Sequence, residues 1–178
     1  MRKIKTGLLI AGMVATVGNM SGCAQPSKPD AMVVHVVGPV HKTEADVSVA
    51  VSGGKETSKM GASQISDEAF ATALRGSLEE AGLFRTVSTE GARYRLSGFI
   101  GKVDQPMMGF SMTVKMEVSY TLKDTQSGTA VWTKDIESEY TAKASAAFAG
   151  VERLRLANEG AARENIRQAV TELQALTL

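Results

Sequence analysis

The chain carries few side chains able to do chemistry, and their spacing limits what that chemistry can be. There is a single cysteine, Cys23, and there are two histidines, His35 and His41. The histidine spacing matches no common zinc pattern, so neither is assigned as a metal ligand. No Gly-x-Ser-x-Gly elbow is present, and no hexapeptide repeat. Asp135, Glu137 and Glu139 alternate along one segment, which fits the solvated face of a strand better than a paired acid and base. Gly53-Gly54-Lys55-Glu56-Thr57 lacks the glycine spacing of a phosphate loop, and Glu56 stands where Ser or Thr would hold magnesium. We therefore expect no catalytic residues, no metal and no cofactor. What remains is Cys23. It follows a basic start (Arg2, Lys3, Lys5), an apolar run from Leu8 to Val17, and small residues, the three zones of a secretory signal.

Met20-Ser21-Gly22-Cys23 resembles the lipobox of bacterial lipoproteins, with Met20 in the place of the usual Leu. The resemblance implies cleavage before Cys23, thioether diacylation of its sulfur and acylation of the new amino terminus. Several acyl chains anchor stably where one does not. Residues 1–22 are then a signal peptide. Residues 23–44 form the lipidated N-terminus, with Gln25 to Asp30 as a tether and Met32 to Val37 as a candidate extra edge strand. Residues 45–178 form the folded domain. Ala24, in place of the Asp that favours retention at the inner membrane in Gram-negative lipoproteins, implies transfer to the outer membrane, facing the periplasm.

Bulk properties narrow the partners. Without Arg2, Lys3 and Lys5 the 20 basic residues fall below the 19 acidic ones, so the mature chain is slightly acidic and no basic stripe survives for nucleic acid. No second apolar run is long enough to span a bilayer. With Cys23 acylated no disulfide can form, and the fold must rest on its core.

The elements follow from periodicity. Asp46 to Val51 alternates as a half-buried strand. Ser52 to Ser63 is Gly- and Ser-rich and reads as a loop. Ser66 caps a helix whose apolar face is Phe70, Ala73, Leu74, Ser77, Leu78 and Ala81, with Gly82 as its left-handed stop. Ile65 and Phe70 are placed as a hydrophobic staple. Strands are predicted at Tyr94–Val103, Met112–Leu122 and Ala130–Tyr140, the last with Trp132, Ile136 and Tyr140 inward. The middle strand has a clean apolar face, Met112, Val114, Met116, Val118, Tyr120 and Leu122. A final helix runs from about Asn158 to Leu176, with residues 150–157 readable as a preceding helical turn. The expected fold is α+β: a two-layer β-α-β-β-β-α sandwich, with two helices on one face of a mixed sheet of about four strands. The first strand and Tyr94–Val103 are expected to run parallel, being joined through a helix.

This arrangement behind a lipobox resembles a group of small periplasmic lipoproteins over Val47 to Leu173. The group includes the lipopolysaccharide-assembly lipoprotein, the auxiliary lipoproteins of ABC-type lipid transporters and families of unknown function. The segments ISDEAFATALRGSLEEAGLF and GVERLRLANEGAARENI resemble an uncharacterised proteobacterial lipoprotein family. A shared fold hosts different functions, so the resemblance implies an envelope setting more than a role.

Two constellations lie outside this framework. Gln105, Met107, Met108 and Phe110 form a loop that is apolar where a connection should be polar. It either folds back over the core or binds something, and flexible Met side chains suit adaptable surfaces. Arg153, Arg155, Asn158, Glu159 and Arg163 crowd the start of the last helix. They either hold an anionic group or partner, or comprise an Asn158 N-cap with surface ion pairs. The expectation is a non-enzymatic outer-membrane lipoprotein acting by binding, with an envelope protein or lipid as partner. The alternative is a binder of a small amphiphile, and an enzyme of unrecognised type ranks third. A continuous apolar pocket between helices and sheet would favour the amphiphile. An exposed apolar loop without one would favour the partner.

Overall fold

In the computed structural model, residues 24–35, 42–58 and 61–178 are described. Residues 1–22, read above as a signal peptide, and Cys23 and His41 lie outside these residues. A five-stranded mixed sheet has helices on one face. The elements are α1 (Pro29–Met32), β1 (Asp46–Ser52), α2 (Asp67–Ala81), β2 (Thr86–Ser88), β3 (Tyr94–Asp104), β4 (Met112–Asp124), β5 (Ala130–Ala142) and α3 (Gly150–Gln174). The strand order is β2-β1-β3-β4-β5. β1 runs parallel to both β2 and β3, while β3-β4 and β4-β5 are antiparallel.

The α+β sandwich is as expected, with one strand misplaced. Of the candidate edge strand Met32 to Val37, the described residues 32–35 form no strand. Over its described part the chain makes one helical turn, entered through Pro29, and then an extended stretch. Met32 and Val34 are buried in the core, and the Val34 N–H donates to Ser77 Oγ at 2.9 Å. Met32 and Val34 are satisfied by packing in the core and need no ladder. The edge is instead the three-residue β2, too short to show a period.

Capping chemistry fixes α2. Ser66 Oγ accepts from the Ala69 N–H at 3.3 Å, and Gly82 takes φ 61°, its N–H donating to Glu79 O. Ile65 and Phe70 are both buried. β4 alternates as predicted, its six apolar residues all buried. In β3 a bulge at Gly101 lets both Ile100 and Val103 face inward, opposite Val118 and Met116. In β5 Ile136 is buried and Trp132 is half-buried against Tyr120, with ring centroids 6.1 Å apart. Tyr140 is less buried than expected. It lies across Gly160 of α3, where a Cβ would fall 2.2 Å from its Cδ1, so that position must stay bare.

α3 is one continuous helix from Gly150, not a helix opening at Asn158. Its apolar stripe extends back through Ala157 and Leu154, all buried. Buried Arg155, Asn158 and Glu159 interrupt the pattern and hide the period. Further along, Asn165 is wholly buried. It accepts from Tyr120 Oη at 2.8 Å and donates to Ile136 O at 2.8 Å, tying helix to sheet. Burial pushes the Tyr120 phenol pKa up, so it stays a donor.

Candidate functional site: the loop end of the sheet

Topology gathers three connections at one end of the sheet. β1 and β3 run parallel and β4 runs against them, so the β1–α2 loop, the β3–β4 loop and the β5–α3 connection all lie where β1, β3 and β5 finish. α2 and α3 also begin there. The opposite end carries the β4–β5 hairpin, an exposed polar turn of Thr125, Gln126, Ser127, Gly128 and Thr129.

The β3–β4 loop does not cover the core. Met107 is 98% exposed, Met108 83% and Phe110 89%. Phe148, in the β5–α3 connection, is 96% exposed. It was not picked out from the sequence, although an aromatic within an alanine-rich stretch was the available signal. Arg153 holds the two connections together. Its Nη1 donates to Ala147 O at 2.7 Å and Phe148 O at 2.8 Å, and its Nη2 makes a longer 3.5 Å contact with Gly109 O. Four large, exposed apolar side chains therefore stand on two connections that Arg153 contacts.

Gln105 behaves unlike the rest of its loop. It is half-buried, and its Nε2 donates to Asn158 Oδ1 at 2.8 Å and Ser63 O at 2.9 Å. Its Oε1 accepts from Gln64 Nε2 at 3.3 Å. Asn158 Nδ2 donates to Ser63 O at 2.8 Å. Asn158 is thus no N-cap. It is a buried mid-helix residue that fastens α3 to both loops, and Gln105 is the foot of the exposed tip.

The remaining polar residues of α3 are equally committed. Buried Arg155 lies between Glu152 and Glu159 and is hydrogen-bonded to both carboxylates. The Glu152 pairing raises the Arg155 pKa and lowers that of Glu152. Glu159 also accepts the Lys28 N–H at 2.8 Å. Arg163 donates to Ala31 O at 2.8 Å and stands 5.9 Å from the Tyr140 ring centroid. These residues form a clasp for the N-terminal segment. The same contacts remove most of the expected tether. Within Gln25 to Asp30, the Ser27 N–H donates to Gln64 O at 3.1 Å, Lys28 is held by Glu159, and Pro29 begins α1.

Elsewhere the chemistry is sparse. Asp135, Glu137 and Glu139 lie on the exposed sheet face, and Glu139 pairs with Lys115 at 3.2 Å. His35 is exposed, 3.6 Å from Glu80. Among the described residues no group of three or more His, Cys, Asp or Glu side chains is placed to hold a metal. A 790 Å³ open groove is lined by Val33, Val34, Met116 and Tyr140 together with charged residues such as Lys115, Glu139, Arg163 and Arg167. Among the described residues the space between helices and sheet is filled by packed core.

Similar architecture occurs in solved bacterial proteins. A Xanthomonas campestris protein of the DUF330 family superposes with a TM-score of 0.57 at 13% identity, over 84% of this chain and 92% of that one. The PelC dodecamer from Paraburkholderia phytofirmans gives 0.52 at 18% identity, over 79% and 96%. A minor lipoprotein from Acinetobacter baumannii gives 0.49 at 10% identity, over 76% and 94%. The first two share the fold, and identities this low speak for the fold alone. No protein-family model and no curated protein matches the sequence.

Proposed function

We propose that this protein is a lipoprotein of the bacterial envelope, acylated at Cys23, held at the periplasmic face of the outer membrane, and acting by binding rather than by catalysis. The observation that carries this reading is the exposure of Met107, Met108 and Phe110 on a loop whose foot, Gln105, is locked to α3 and to Ser63. A soluble domain gains nothing from displaying such a tip, and contiguous exposed apolar groups mark interaction sites. A built-in lipid fits the same picture, because the signal-like segment ends at the chain's sole cysteine. The packed core between helices and sheet speaks against the small-amphiphile alternative.

The test has two arms. Intact mass of the protein isolated from membranes should show acyl groups on Cys23, and Cys23→Ser should leave the chain unacylated. Replacing Met107, Met108 and Phe110 together with Ser should leave the melting temperature unchanged, because these side chains touch little, yet reproduce the envelope phenotype of a deletion. A triple variant that is as functional as the parent removes the loop from the function.

A further inference from the structure

We propose that the apolar tips of the β3–β4 and β5–α3 connections seat in the lipid bilayer itself, standing the domain end-on upon the membrane with the β4–β5 hairpin pointing away. The inference rests on the acylation of Cys23 and adds to it an orientation and an occupant for the exposed patch.

Three observations converge. First, Met107, Met108, Phe110 and Phe148 come from two connections at the same end of the sheet, joined through Arg153 to the carbonyls of Ala147, Phe148 and Gly109. The opposite end is a turn of Thr, Gln, Ser and Gly. Only one end of the domain is therefore suited to an apolar medium. Second, the chain enters the fold at that same end. Ser27 is bound to Gln64 O, and Gln64 is bound to Gln105, two residues before Met107. Third, the leash is short. From Ser27 back to Cys23 is four residues, a reach of at most about 14 Å. Lipids on Cys23 hold that end of the domain within about one headgroup layer of the surface, where a projecting Met-Met-x-Phe tip meets the acyl boundary. Aromatic and flexible apolar side chains partition there, and anchoring that combines a lipid with a second apolar contact is the stable kind. Exposed Lys143 flanks the tips as a cation for lipid phosphates, while nearby Asp104 is paired with Lys102 at 2.7 Å.

The experiment uses the lipidated protein reconstituted in vesicles of phosphatidylethanolamine and phosphatidylglycerol. Phe110→Cys and Gln126→Cys are each labelled with an environment-sensitive nitrobenzoxadiazole probe, acylated Cys23 offering no thiol. With nitroxide-labelled phospholipid in the bilayer, the probe at position 110 should shift to the blue and be quenched several-fold, and the probe at position 126 should behave as in water. Equal, water-like spectra at both positions overturn the proposal. So does a probe at 110 that is shielded from an aqueous quencher yet untouched by nitroxide lipid, which would place a protein on the patch. Intact mass of the same sample separates the two readings. Acylated Cys23 with an unquenched probe at 110 removes the orientation alone, whereas a chain without acyl groups removes the anchor and the orientation together.

Discussion

Gln105 donates from Nε2 to Oδ1 of Asn158, 53 residues further along the chain, at 2.8 Å. Both side chains also donate to the carbonyl of Ser63, so a strand end, a loop and the middle of a helix meet at one buried carbonyl. The exposed tip that begins two residues later inherits its position from this junction.

Gln105→Ala should therefore act through what it leaves behind. Asn158 Oδ1 loses its partner in a buried site, and such an orphan costs about 1–3 kcal/mol. The expected result is a lowered urea midpoint with an unchanged slope, together with faster amide exchange across residues 107–111. Slow exchange there, despite the loss of stability, would mean that Arg153 alone holds the loop.

The sheet register gives a paired test. Val118 is wholly buried between Ile100 and Ile136 on the neighbouring strands, and Glu117 is exposed between Lys102 and Glu137. Val118→Asp places an unpaired charge in the core and should cost more than about 4 kcal/mol, enough to unfold the domain. Glu117→Lys should change stability by less than about 0.5 kcal/mol. Thermal melts of the two variants read the difference directly, and equal melting temperatures would contradict the register.

The contrast between these positions also explains what was legible beforehand. β4 could be read residue by residue because a sheet covered on one side forces strict alternation, as Val118 and Glu117 show. α2 could be read because Ser66 and Gly82 mark its ends with capping chemistry. The start of α3 could not. Arg155, Asn158 and Glu159 occupy buried positions; Arg155 pairs locally with Glu152 and Glu159, but Asn158 and Glu159 are also satisfied by partners far away in sequence, Ser63, Gln105 and Lys28. A local pattern carries no trace of such partners, so the polar stretch read as a surface group or a cap. Met32 and Val34 misled for the complementary reason. Their apolar, β-branched neighbourhood suits a strand, but helix packing absorbed it. The loop residues Met107, Met108 and Phe110 stood out by composition alone, while whether they covered the core depended on the fold.

The last prediction concerns acid stability, at the end of the domain away from the apolar tips. Asp124 closes β4 and accepts from Arg93 Nε at 3.1 Å and Nη2 at 2.6 Å. The backbone N–H groups of Gln126 and Ser127 donate to the same carboxylate at 2.8 and 3.2 Å. The Arg93 guanidinium, helped by these backbone donors, holds the Asp124 pKa down at about 2. A carboxyl whose pKa is lower folded than unfolded adds stability that is complete above its unfolded value and fades as the pH falls through the folded one. For Asp124 that window runs from an ordinary carboxylate value of about 4 down to about 2. Asp124→Asn keeps the shape but loses the charge. It should lower the urea midpoint at pH 7, and the gap to the parent protein should narrow through this window and close below it. Urea titrations at a series of pH values provide the measurement. A gap that stays constant into acid would show that the carboxylate charge contributes nothing, and that the turn is held by its neutral hydrogen bonds.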